Sequence, residues 1–74
     1  MYRRLRDMRE DADKTQAELA AVLNGGQATY SRYENGVLDI PSIALIALAR
    51  YYQVSTDYLL GLTDERKPYP PARK

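Results

Sequence analysis

Apolar residues recur along this chain at helical spacing and nowhere alternate with the period of a strand. The first stretch, Met1–Ala12, places Met1, Leu5, Met8 and Ala12 on one stripe, with Arg3, Arg6, Asp7 and Glu10 facing away. Asp11-Ala12-Asp13-Lys14 loosens that pattern and predicts a connection. Thr15-Gln16-Ala17-Glu18 has the form of a capping box, in which the Thr15 hydroxyl accepts from the Glu18 amide and the Glu18 side chain reaches back. It opens a second helix, Gln16–Leu23, with Leu19, Ala20 and Leu23 as its buried face. Asn24-Gly25-Gly26 stops that helix, because Asn and Gly tolerate the left-handed conformation that ends helices.

A third helix, Gln27–Asn35, closes at Gly36. Its periodicity turns Tyr30 and Tyr33 inward and Ala28, Ser31 and Arg32 outward, with Gln27 and Thr29 on the flanks. A loop, Gly36–Ile40, leads to Pro41, a residue suited to the first turn of a helix. The fourth helix, Ser42–Tyr52, is the most apolar piece and is expected at the centre of the core. Ser55 caps a last short helix, Thr56–Leu60, ended by Gly61. From Thr63 the chain turns polar and then Pro-rich at Pro68, Pro70 and Pro71, which predicts a mobile tail with nothing to bury. The pattern therefore predicts a compact all-α domain of five helices over residues 1–62 and a tail over 63–74.

Composition narrows the chemistry. Of 74 residues, 45% are hydrophobic and 28% charged, which suits a single globular domain with a modest core. With no Cys and no His, structural zinc, thiol nucleophiles and imidazole acid–base catalysis are excluded. The longest apolar run, Ile43–Ala49, is far too short to span a membrane, and no signal-peptide pattern opens the chain. The expectation is a cytoplasmic protein that is not an enzyme and uses no cofactor, no metal, no membrane and no small-molecule ligand. A net charge of +1 does not by itself point to nucleic acid. Arg3, Arg4, Arg6 and Arg9 are interleaved with Asp7, Glu10, Asp11 and Asp13, the mark of a solvated face with i,i+4 pairs.

Two short helices joined by Asn24-Gly25-Gly26 form the skeleton of a helix-turn-helix. The segments Thr15-Gln16-Ala17-Glu18-Leu19-Ala20 and Gln27-Ala28-Thr29-Tyr30-Ser31-Arg32-Tyr33-Glu34-Asn35-Gly36 resemble the Cro and phage-repressor type of helix-turn-helix family, also called XRE-like or lambda-repressor-like. The similarity continues through Ile40-Pro41 and Val54-Ser55-Thr56-Asp57-Tyr58-Leu59-Leu60-Gly61. It covers residues 1–62, and the ordered set of motifs carries it rather than any one of them.

The resemblance implies sequence-specific binding of double-stranded DNA by a bacterial or phage transcriptional regulator of repressor type, as a homodimer on a roughly palindromic operator. In such a fold the second helix crosses the DNA backbone and the third enters the major groove. Gln27, Ala28 and Arg32 match the positions that face bases. Glutamine pairs with adenine, arginine with guanine, and the alanine methyl touches a thymine methyl. Gln16, Thr29 and Asn35 match positions that hold phosphates. Arg9 and Glu34 match positions that form an ion pair between the first and third helices. Ile43 and Ala47, on an unusually apolar outer face of the fourth helix that also includes Ala44, are the expected dimer contact.

Outside the resemblance, Gln16 reads equally as a polar residue in a first helical turn, and Arg32 as a solvated or ion-paired one. Gln16, Gln27 and Arg32 are all expected to be exposed, so that truncating them spares stability. The chain also departs from the family, which places an apolar residue and then Ser or Thr where Gly25 and Gly26 stand. A looser turn follows from the added backbone freedom. The competing function is a helix-turn-helix interaction module of an antitoxin or other protein complex.

Overall fold

The computed structural model describes residues 3–68. Five helices follow one another: α1 (Arg3–Asp11), α2 (Gln16–Val22), α3 (Gln27–Glu34), α4 (Ser42–Tyr52) and α5 (Thr56–Leu59). Each sequence-predicted helix is present: α4 has its expected bounds, α1, α2, α3 and α5 stop one residue earlier than expected, and the expected start of α1 at Met1 lies outside the described residues. The core is assembled from every helix: Leu5 and Met8, Leu19 and Ala20, Tyr30, Leu48 and Ala49, Val54 and Leu59. Leu23, Tyr33, Ile40, Leu45, Tyr52 and Tyr58 pack against it half-buried. Burial of these apolar groups is what holds helices this short, since a helix of seven or eight residues is marginal in water alone.

All five helices end through a left-handed residue. Asp13, Asn24, Gly36, Gln53 and Gly61 have φ of 59°, 56°, 76°, 58° and 78°. At each, the next amide closes back on the last turn, as in Gly25 N–H to the Ala20 carbonyl at 2.9 Å and Val37 N–H to the Arg32 carbonyl at 3.0 Å. Glycine takes this conformation without penalty at Gly36 and Gly61. Asp13 and Gln53 take it against their intrinsic preference, because tertiary packing fixes where α1 and α4 must stop. In the helix-turn-helix only Asn24 is left-handed, and Gly26 is the N-cap of α3 in extended conformation, φ −81°.

Several expectations need correcting. Ala12 lies beyond the end of α1 and is exposed, so the buried stripe of that helix is Leu5 and Met8, while Met1 lies outside the described residues. Ala44 is buried, so the outer face of α4 is formed by its neighbours instead. The arginines of α1 are not uniformly solvated: Arg6 pairs with Glu10 at 3.2 Å, but Arg4 is a clamp. Its Nη1 donates to the carbonyls of Tyr58 at 3.1 Å and Thr63 at 2.9 Å, and its guanidinium lies 4.1 Å from the centre of the Tyr58 ring. Residues 63–68 consequently do not hang free. Ser55 N–H donates to the Arg66 carbonyl at 3.0 Å, and Arg66 covers Tyr58 and Met8. Pro70 and Pro71 lie outside the described residues.

The turn glycines leave a niche of about 180 Å³ between the turn and α4, lined by Leu23, Gly25, Tyr33, Pro41, Ile43 and Ala44. It lies where an apolar turn residue would pack. A Cβ at Gly26 meets nothing within 4 Å, and the backbone there is already that of an ordinary N-cap. Gly26→Ser is therefore expected to stabilise the fold by about 0.5–1 kcal/mol, through a side-chain cap and reduced freedom of the unfolded chain. Thermal or urea unfolding measures it.

Candidate nucleic-acid interface

The third helix is pinned from below and free above. Glu34, 4% exposed, lies on the inner face of α3. Arg9 of α1 donates to it twice, Nε to Oε2 at 2.6 Å and Nη2 to Oε1 at 3.2 Å, and also donates Nη1 to the Lys14 carbonyl at 3.0 Å. Gln16, at the start of α2, donates its amide nitrogen to Oε1 of the same carboxylate at 3.2 Å. Three helices thus meet on one buried anion. Burial alone would push the Glu34 carboxyl up, but the Arg9 and Gln16 hydrogen bonds outweigh it and hold the carboxyl below its ordinary value. Beside it, burial pushes the Tyr30 phenol upward and the Tyr52 phenol up to about 12. The Tyr52 hydroxyl is buried without a hydrogen-bond partner among the described residues, whereas the Tyr30 hydroxyl lies against the Glu34 carboxylate.

On the opposite face of α3 the side chains reach solvent. Gln27, Ala28 and Arg32 are exposed, and Asn35, at the helix end, is exposed with its amide donating to the Ser31 hydroxyl at 3.3 Å. Thr29 and Ser31 are half-buried. The capping box at α2 forms as its sequence predicts, Glu18 N–H to Thr15 Oγ1 at 3.1 Å and Thr15 N–H to Glu18 Oε1 at 2.8 Å. That second bond holds the Glu18 carboxyl below its usual range, so a negative charge sits beside Gln16. Arg32 is the cation on the exposed face of α3, and Gln27, Asn35 and backbone amides supply the neutral donors.

Gln16 corrects the expectation of a freely exposed side chain. It is half-buried, and its amide is shared between the Glu34 carboxylate and the surface. Its role beneath α3 carries no local sequence signal, because Glu34 is 18 positions away. The Arg9 and Glu34 side chains are 14% and 2% exposed, so this pair is more buried than its flanking positions on the helices suggest.

Removing one member of a buried pair leaves the other uncompensated. Arg9→Ala is expected to cost about 3 kcal/mol in urea unfolding, and Arg9→Met with Glu34→Leu together to cost less than Arg9→Ala alone. Gln16→Ala is expected to cost about 1–2 kcal/mol through the lost bond to a charged acceptor. The folded Glu34 carboxyl is a stronger acid than the unfolded one. Its contribution is therefore complete above the ordinary value of about 4.3 and is lost as pH falls through the lower folded value. Glu34→Gln should flatten that acid limb of a stability-against-pH curve.

The helix-turn-helix family model matches residues 5–59. The chain is 41% identical over 69 residues to the uncharacterized HTH-type transcriptional regulator YobD of Bacillus subtilis (strain 168), covering 92% of this chain and 62% of that protein. It is 42% identical over 65 residues to the HTH-type transcriptional regulator ImmR of the same strain, covering 88% of this chain and 51% of that protein. The chain thus spans between half and two thirds of the length of these relatives. No solved structure matches it. Five helices in this order, α2 and α3 joined by a tight turn, and a family match across the whole ordered core lead to one assignment: the chain belongs to the helix-turn-helix family of the Cro and phage-repressor type.

Proposed function

We propose that this chain binds double-stranded DNA sequence-specifically as a transcriptional regulator of repressor type, reading the major groove with α3. The observation that carries this reading is the two-sided character of α3. Its inner face is locked to α1 and α2 through Glu34, and its outer face presents Gln27, Ala28 and Arg32 to solvent. A reading element needs that combination: base contacts discriminate only when the side chains arrive at a fixed position. Gln27 and Arg32 take the base-specifying role, with the Ala28 methyl against a thymine methyl. Gln16, Thr29 and Asn35 contact phosphates and set register. Gln16 does so with the amide hydrogen that Glu34 leaves unused.

Two copies on a roughly palindromic operator, their recognition helices about 34 Å apart, complete the reading. Ile43 and Ala47 on α4 supply the contact between them. The protein works in the cytoplasm, and no catalytic step is assigned to it. Among the described residues no helix is long and apolar enough to cross a membrane.

Arg32→Ala and Gln27→Ala are each expected to cost about 1–3 kcal/mol at a site selected from random duplex DNA and to relax preference at one base pair. Gln16→Ala should weaken selected and random duplexes by similar factors, after correction for its lower stability. Because Gln16 is neutral, the salt slope should be nearly unchanged. Titrations at fixed salt on single-base variants of the site decide this. Wild-type base preference in both folded α3 variants would remove α3 as the reading element and favour a bridging module of a protein complex.

A further inference from the structure

Both asparagines of this chain are followed by glycine, and the two pairs, Asn24-Gly25 and Asn35-Gly36, flank α3. An Asn-Gly pair is prone to deamidation, because a residue without Cβ lets its amide nitrogen approach the side-chain carbon before it. Local structure treats the two pairs differently. The Gly25 amide donates to the Ala20 carbonyl at 2.9 Å, inside a four-residue connection between two packed helices. Turning the Asn24–Gly25 peptide therefore pulls α2 against α3. The Gly36 amide donates to the Tyr33 carbonyl at 3.3 Å, in a seven-residue connection whose residues 35–39 are all exposed. Rotation there breaks the bonds of Val37 and Leu38 to the Arg32 carbonyl and leaves the core packed.

We propose that Asn35 is a modification site, deamidated by its own chain with water as co-reactant, and that the carboxylate so formed weakens the hold of α3 on DNA. The second half rests on the DNA-binding reading above. In the first step the Gly36 amide nitrogen gives its proton to solvent base and attacks Cγ of Asn35. The Cγ–Nδ2 bond breaks, and ammonia leaves with a proton taken back from solvent. Water then opens the resulting cyclic imide. Opening at Cγ gives aspartate, and opening at the backbone carbonyl gives isoaspartate, in which the chain runs through Cγ. One water is consumed, one ammonia is released, and nothing is oxidised or reduced. Either product puts a negative charge at the C-cap of α3, where the carbonyl end of the helix already carries partial negative charge. A group that repels phosphate replaces the amide that Asn35 offers one. Arg32, three positions back on the same helix, also gains an anionic partner within its own chain, which competes with a base for its guanidinium.

Trypsin separates the two sites, because cleavage after Lys14, Arg32 and Arg50 leaves Asn24 in peptide 15–32 and Asn35 in peptide 33–50. The folded protein is held at mildly alkaline pH, and conversion of each peptide is followed by mass spectrometry beside the chain unfolded in guanidinium. The two sites should react at similar rates in the unfolded chain, and Asn35 several-fold faster than Asn24 in the folded one. Asn35→Gln, whose longer side chain closes the ring slowly, should abolish conversion of its peptide. Fresh Asn35→Asp protein should bind random duplex DNA about five- to tenfold more weakly than wild type, with a penalty that shrinks as salt rises. Circular dichroism checks that it is folded. Aged wild-type protein, separated from unreacted chain by ion exchange, should show the same weakening. An Asn24 peptide reacting as fast as the Asn35 peptide in the folded protein overturns the site, as does an Asn35 left intact while the unfolded chain reacts to completion. Undiminished DNA binding by both Asn35→Asp and the aged protein overturns the effect on α3. Wild-type protein that binds no duplex rejects the DNA-reading function and leaves the modification site standing, since the peptide rates are measured without DNA.

Discussion

The buried Glu34 carboxylate is the constraint to which the arrangement of helices answers. A carboxylate taken out of water is stable only if cations and donors surround it, and here they come from two other helices. Arg9 supplies charge from α1 and Gln16 a neutral donor from α2, while the Arg9 guanidinium also ties down the Lys14 carbonyl just ahead of α2. Sliding or rotating α3 against its neighbours would break several bonds to one buried anion at once. Apolar packing of Tyr30 and Leu19 sets the distance between α2 and α3, but hydrocarbon contact is tolerant of small rotations. The ion network is directional and fixes the rotation that puts Gln27, Ala28 and Arg32 outside.

This design separates holding from reading along a single short helix. Residues of α3 divide at helical spacing between an inner face with Tyr30 and Glu34, which belongs to the scaffold, and an outer face with few internal obligations. Gln16 joins the two, since one amide bonds the buried anion and lies at the start of α2, the helix proposed to cross the DNA backbone. A phosphate contact there would transmit to Glu34 through a single side chain. The exposed surface here is electrostatically mild, because Glu18 caps α2 with a negative charge and Arg32 is the cation on the outer face of α3. Discrimination in such an interface leans on hydrogen-bond geometry more than on bulk attraction.

The opposite end of the domain is closed by a different device. Arg4 gathers the carbonyls of Tyr58 and Thr63, and its guanidinium shares the Tyr58 ring with that of Arg66. These bonds fold residues 63–66 against α1 and α5 and build one wall of a groove beside α4 at Pro68. A polar segment with no apolar content of its own is held here through its backbone carbonyls, Thr63 accepting from Arg4 and Glu65 and Arg66 accepting from Ser55.

Local features of the fold were legible in the chain. The Thr15–Glu18 box, the stop at Asn24, the closures at Gly36 and Gly61 and the Ser55 cap each depend on residues within five positions of one another. Apolar spacing then assigns Leu5, Leu19 and Tyr30 to the interior. The outward set on α3 follows from the same periodicity, and the reading role proposed for it rests on the order of the family motifs. Tertiary structure alone decided what long-range packing controls: the bond of Gln16 to Glu34, the clamp of Arg4 on residues 54 and 59 positions away, the burial of Ala44, and the left-handed Asp13 and Gln53. Helical periodicity specifies which way a side chain points from its own axis. It does not specify which polar group from another helix will meet it, and that is settled only when the five axes are packed around one core.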